Sequence, residues 1–183
     1  MYSYEHRKGL STRDLMLTAL FSAIYVTYGY ASSVTVGVVT HGVDTLFIRS
    51  ALFVLLTAFT VKFGPSTLMG IIAGILFALF VPAPFPIYLF PSTLMYGLTY
   101  DLYMHLIGYS AHVMRAKHVL LASAFSSAMM SFVALSILTW VGFLPVKGLA
   151  FIWFFGVSRD VALGLVGGLL GFRAMKYVIQ WKT

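Results

Sequence analysis

The feature that most constrains this chain is a succession of apolar runs of about twenty residues, broken only by short stretches of glycine, proline or basic residues. A helix needs about 20 apolar residues to cross the roughly 30 Å hydrocarbon core of a bilayer. The runs are continuous rather than alternating, and they are about twice as long as a barrel strand, which excludes a transmembrane barrel. In hydrocarbon each span must satisfy its own backbone, and that leaves helices. Composition agrees. Charged residues are 9% of the 183, against roughly 25% in a soluble domain. Five acids and twelve bases cannot cover a water-exposed surface of this size.

The expected fold is therefore an all-α integral membrane protein, a single domain over residues 1–183 with six transmembrane helices. The runs predict helices from about Asp14 to Ser33, Val43 to Phe63, the Gly64-Pro65-Ser66 turn to Val81, Pro91 to Tyr109, His118 to Gly142, and Leu149 to Met175. Pro82, Pro84 and Pro86, with Pro91 beyond them, predict an ordered external loop, because proline lacks a backbone donor and blocks a regular helix. The first run follows Arg7, Lys8 and Arg13 as in a signal peptide, but it is too long for one and more spans follow, so a retained helix is expected. The net charge of +7 comes from bases at the ends of the runs rather than along one face, which points away from nucleic acid. Arg7, Lys8, Arg13, Lys62, Arg115, Lys117, Arg173, Lys176 and Lys182 fall on one side and Lys147 alone on the other. The positive-inside rule then makes both termini cytoplasmic.

A charge near mid-bilayer costs about 2.5–3.5 kcal/mol on insertion scales, so each one requires a reason. Counted from the outer ends of their helices, Asp101, Arg159 and Asp160 all fall about 15–18 Å deep. Asp44 and Arg49 fall higher, and Arg49 is close enough to the surface to snorkel. Two readings stay open: an Asp101–Arg159 strut between helices, or a polar cavity whose ligand completes the charge pairing. Tyr96, Tyr100 and Tyr103 form a stripe beside the Gly97, Asp101 and His105 face, and Tyr25 and Tyr28 form a similar pair. Such a stripe serves ordinary packing, or stacks on a flat, nitrogen-rich or cationic ligand. Small residues recur at four-residue spacing at Ala19/Ala23, Gly70/Gly74, Gly164/Gly168 and Gly167/Gly171, where helices can approach closely. Cysteine is absent, His41 has no partner pattern for a metal, and there is no Gly-Lys dipeptide, hence no P-loop. No catalytic motif appears, the one glutamate is Glu5, and neither an enzyme nor a cofactor is indicated.

Four stretches together resemble the substrate-binding S component of energy-coupling factor (ECF) vitamin transporters, closest to the YkoE-type thiamin and hydroxymethylpyrimidine group. They are Ala19-Leu-Phe-Ser-Ala23; the span from Asp44 to Lys62-Phe-Gly-Pro65; Gly97-Leu-Thr-Tyr-Asp101; and Arg159 followed by Gly164-Leu-Val-Gly-Gly-Leu-Leu-Gly171. The resemblance runs over nearly the whole chain, although the family group would have glutamate where Asp44 and Asp101 stand. It implies a high-affinity binding subunit in a prokaryotic plasma membrane, partnered by a transmembrane T component and two cytosolic ABC-type ATPases. Asp44, Arg49, Tyr96, Tyr100, Asp101, Arg159 and Asp160 would hold a small vitamin-like ligand, and Ala19 and Ala23 would dock a partner helix. A carboxylate can accept charge-assisted hydrogen bonds from an aminopyrimidine, and a tyrosine face can stack on its ring. The alternatives are a self-sufficient carrier or channel, for which no inverted repeat is seen, and an intramembrane enzyme or assembly protein.

Overall fold

A computed structural model describes residues 9–35, 43–81, 86–109 and 115–180, and among them every regular element is helical. The helices are α1 (Thr12–Thr35), α2 (Val43–Thr60), α3 (Pro65–Phe80), α4 (Leu89–Ile107), α5 (Ala116–Trp140) and α6 (Leu149–Gln180), with a 3₁₀ turn at Pro86–Tyr88 before α4. The expected helices are all present, shifted by a few residues at their ends. Pro91, expected to open this helix, lies inside the first turn of α4, where the amide that proline lacks would have no partner anyway. Of the proline loop expected from Pro82 to Pro91, residues 82–85 lie outside the described residues, as does His41, while Pro86–Tyr88 form the 3₁₀ turn and Pro91 lies in α4.

Local chemistry explains the boundaries. Ser11 and Asp14 cap α1 reciprocally: the Ser11 amide donates to the Asp14 carboxylate at 2.9 Å, and the Asp14 amide to Ser11 Oγ at 3.3 Å. The chain leaves α2 through Val61, at a φ of 49°, and enters α3 through Gly64, at a φ of 113°, with Pro65 as its first residue. At Val61 a β-branched side chain holds a left-handed backbone, an uncommon geometry that the contacts around the turn must maintain.

The six helices close into a ring in the order α1, α3, α4, α5, α6, α2, and back to α1. Glycine rows set the close approaches. A Cβ on Gly70 would sit 2.7 Å from the Thr93 carbonyl oxygen, and one on Gly74 3.0 Å from Phe90, so this row docks α3 onto α4. On α6, Gly164 and Gly168 meet Ser127 and Ser123 of α5, while Gly167 and Gly171 meet Phe47 and Ala51 of α2. Successive helix positions point about 100° apart, so the two rows let one helix bind two neighbours at once.

These contacts make α5 and α6 antiparallel and α2 and α6 parallel. The start of α1, the 61–64 turn, Arg115 and the end of α6 therefore share one end of the bundle, and Lys147 lies at the other. The core holds Phe21, Tyr25, Phe53, Leu56, Met69, Phe77, Tyr96 and Tyr100. Leu79, Leu106, Phe125, Phe151 and Phe154 face outward.

Candidate functional site

Asp101 lies near the end of α4 that meets the 61–64 turn, and both of its carboxylate oxygens are engaged. Oδ2 accepts from the Gly64 amide at 3.0 Å and from the Thr67 amide and hydroxyl, each at 2.8 Å. Oδ1 accepts from the Tyr109 hydroxyl at 2.8 Å. Burial, and then the Asp101 carboxylate beside it, push the Tyr109 phenol's pKa up, so it stays protonated as the donor. One turn earlier, Gly97 lets the Ser66 backbone approach so closely that a Cβ would sit 2.3 Å from its carbonyl oxygen. Gly97 and Asp101 thus receive the first turn of α3 as a unit: the glycine gives it room and the carboxylate takes its free amides.

Arg159 does not meet Asp101. It turns to its chain neighbour Asp160, with Nη2 at 2.9 Å and Nε at 2.9 Å from Oδ1, while Ser131 of α5 donates to Oδ2. The matched depth expected of Asp101 and Arg159 fails because α4 and α6 do not begin at the same level. The Arg159–Asp160 pair faces the α5 residues nearer the Lys147 end, whereas Asp101 is held at the opposite end. Asp44, at the start of α2, accepts from Tyr28 at 3.2 Å and from Ser32, tying α2 to the far half of α1.

Arg49 does not snorkel. Its side chain turns inward and is fully buried, with Cζ 4.3 Å from the centre of the Tyr96 ring. Nη1 donates to the Met130 sulfur and Nη2 lies 3.5 Å from Ser127 Oγ, both on α5. Tyr25 of α1 stands beside the guanidinium. Tyr96 donates to Ser50 Oγ at 3.0 Å and stacks on Tyr100, with centroids 6.3 Å apart and planes 17° apart; Phe53 meets Tyr96 edge-on at 4.7 Å. The tyrosine stripe therefore faces the bundle interior, with Arg49 over one ring.

Of the residues expected to form one site, the structure brings Arg49, Tyr96 and Tyr100 together and distributes Asp44, Asp101, Arg159 and Asp160 elsewhere. The residues that sequence reasoning missed lie on α5, where Ser123, Ser126, Ser127 and Ser131 recur on one buried face of an apolar helix. That hydroxyl stripe has the helical period and is visible in the sequence. Ala19 and Ala23 are both exposed on α1. Nearby, an open groove of about 560 Å³ is lined by Thr12, Arg13, Met16, Leu17 and Leu20. Among the described residues no cluster could hold a metal ion.

Fold and site together define an all-helical bundle with a buried polar centre. Four helices, α1, α2, α5 and α6, are long and apolar enough to cross a membrane, a set compatible with a multi-pass membrane protein. Comparison with known protein families, curated proteins and solved structures finds no match.

Proposed function

We propose that this chain is the substrate-binding subunit, the S component, of an ECF-type vitamin uptake transporter in a prokaryotic plasma membrane. All six helices cross the bilayer in this reading, with the Lys62 turn and both termini cytoplasmic. The shorter α3, 16 residues long, spans about 24 Å and leans on α4 along its glycine row. A T component and two cytosolic ABC-type ATPases supply the energy, and thiamin or hydroxymethylpyrimidine is the expected solute class.

The observation that carries this reading is the Arg49–Tyr96–Tyr100 centre. An apolar bundle gains nothing in stability from a buried guanidinium, since apolar residues of like volume are as good or better. A charged, aromatic centre closed off inside the helices fits a flat heteroaromatic solute, held by stacking and hydrogen bonds. The outward placement of Ala19 and Ala23 supports the second half of the reading. These positions take no part in the ring, and a small-residue face lets a partner helix approach closely.

The test is purification of the tagged chain from its native membrane, with and without tryptophan at both alanine positions. Co-purification of an ATPase pair is expected for the unaltered chain. The Ala19→Trp/Ala23→Trp variant is expected to keep its melting temperature and solute binding while losing the partners. Solute uptake by the chain alone in sealed vesicles, with no ATPase recovered, would overturn the proposal.

A further inference from the structure

Every carboxylate among the described residues has partners, and none of them is Arg49. Asp14 pairs with Lys62 at 2.8 Å, Asp44 is held by Tyr28 and Ser32, Asp101 by the start of α3 and Tyr109, and Asp160 by Arg159 and Ser131. Arg49 is nevertheless fully buried, and its Nε has no hydrogen-bond partner. A guanidinium cannot shed its proton to escape such a setting, and a buried charge without a counter-charge is strongly destabilising.

The surroundings are rich in donors. Ser127 Oγ lies 3.5 Å from Nη2, and on the same buried face of α5 the Ser126 hydroxyl has no hydrogen-bond partner, while Ser123 meets the Tyr100 hydroxyl. The other partners of Arg49 among the described residues are uncharged: Met130, Tyr25 and the Tyr96 ring. A guanidinium with a free Nε edge and adjacent hydroxyls matches the planar fork of a carboxylate or the oxygens of a phosphate.

We propose that Arg49 and the face of α5 it meets form an anion site, which takes the carboxylate or phosphate group of an aromatic solute while the Tyr96–Tyr100 stack receives its ring. Arg49 supplies the counter-charge through Nε and Nη2, and Ser126 and Ser127 donate from α5. This deepens the uptake reading and rests on it for the solute's route. Of the expected solutes it selects phosphorylated forms, or an aromatic acid, over free thiamin, whose ring is cationic.

The test uses the purified full-length chain in phosphatidylcholine nanodiscs, so that no net-anionic lipid competes. Two matched pairs serve as probes: hydroxymethylpyrimidine with its monophosphate, and nicotinamide with nicotinate. The anionic member of at least one pair is expected to raise the melting temperature and to bind at least about tenfold tighter than its neutral twin. Arg49→Met is expected to abolish that preference and, without ligand, to melt no lower than the parent, because it removes an uncompensated cation. Arg49→Lys keeps the charge but loses the fork; it is expected to fold and to retain part of the preference, which covers a failure of Arg49→Met to fold. Equal binding of both twins by the parent chain, no response to any of the four probes, or the full anion preference kept by Arg49→Met would overturn the site. Anion preference with no ATPase partner would leave the site standing and remove the transporter reading. Tight binding of free thiamin with a partner ATPase present, untouched by Arg49→Met, would do the reverse.

Discussion

At the scale of single residues, Asp101 and Arg49 meet neighbours that their positions along the helices did not indicate. Asp101, the carboxylate expected to meet a cationic ring, has four donors on its two oxygens, and all four come from the protein. Asp101→Ala would leave the Gly64 and Thr67 amides without their acceptor. Stability should fall by about 1–3 kcal/mol, the cost of unsatisfied buried donors, while solute affinity stays unchanged. A melting curve and a binding isotherm on one preparation check both. A loss of affinity with intact stability would return Asp101 to the binding site. Arg49 was close enough to the surface to snorkel, yet it sits over Tyr96 inside the bundle. Depth along a helix was legible in its case; the direction of the side chain was not, because direction depends on which helices flank α2.

At the scale of helices, the small-residue pairs divide into two kinds. The glycine rows of α3 and α6 are consumed by neighbours within the chain, whereas the alanine pair of α1 faces out. The substitution costs should divide in the same way. On Gly167 a Cβ would stand 2.1 Å from the Phe47 carbonyl oxygen. Backbone cannot yield there without parting α2 from α6, so Gly167→Ala should cost about 1–3 kcal/mol, as overpacked cores do. Ala19→Leu, on the open face, should stay within about 0.5 kcal/mol. Detergent melts of the two variants side by side test the division, and equal losses would mean that α1 is covered in the folded chain. Four-residue spacing marked all these pairs as contact faces. It carried no information about which partner each face meets.

At the scale of the whole molecule, the asymmetry of charge coincides with the asymmetry of the ring. Arg13, Lys62, Arg115, Lys117, Arg173 and Lys176 collect at one end and Lys147 stands at the other. Lys62 reinforces its end by pairing with Asp14 and donating to the Gly9 carbonyl at 3.1 Å, which straps the α2–α3 turn to the start of α1. If the basic end is cytoplasmic, a cysteine introduced at exposed Phe63 should label from the cytoplasmic side and one at exposed Lys147 only from outside. The chain has no cysteine of its own to interfere. Labelling in the reverse sense would invert the orientation and place the far ends of α1 and α2, with Asp44, inside.

The sequence by itself determined the helices and the one-sided placement of the bases along them. Run length, the scarcity of charge and the placement of bases are properties of segments, and they survive whatever the segments do next. That the stretches from the Gly64-Pro65-Ser66 turn to Val81 and from Leu149 to Met175 would each be one continuous helix was readable in this way, and they form Pro65–Phe80 and Leu149–Gln180. The site was a different matter. Asp101 and Arg159 lie on helices whose relative levels are set by glycine contacts between them and others, so counting from each helix's own start assigned them a common depth they do not share. Only the closed ring decided that Asp101 meets the amides of α3, that Arg159 turns to Asp160, and that Arg49 is enclosed against Tyr96 and the serines of α5. The physical reason is that a buried charge is matched by whichever dipoles and charges the neighbouring helices bring to it, and helix neighbours are chosen by close packing across the whole bundle.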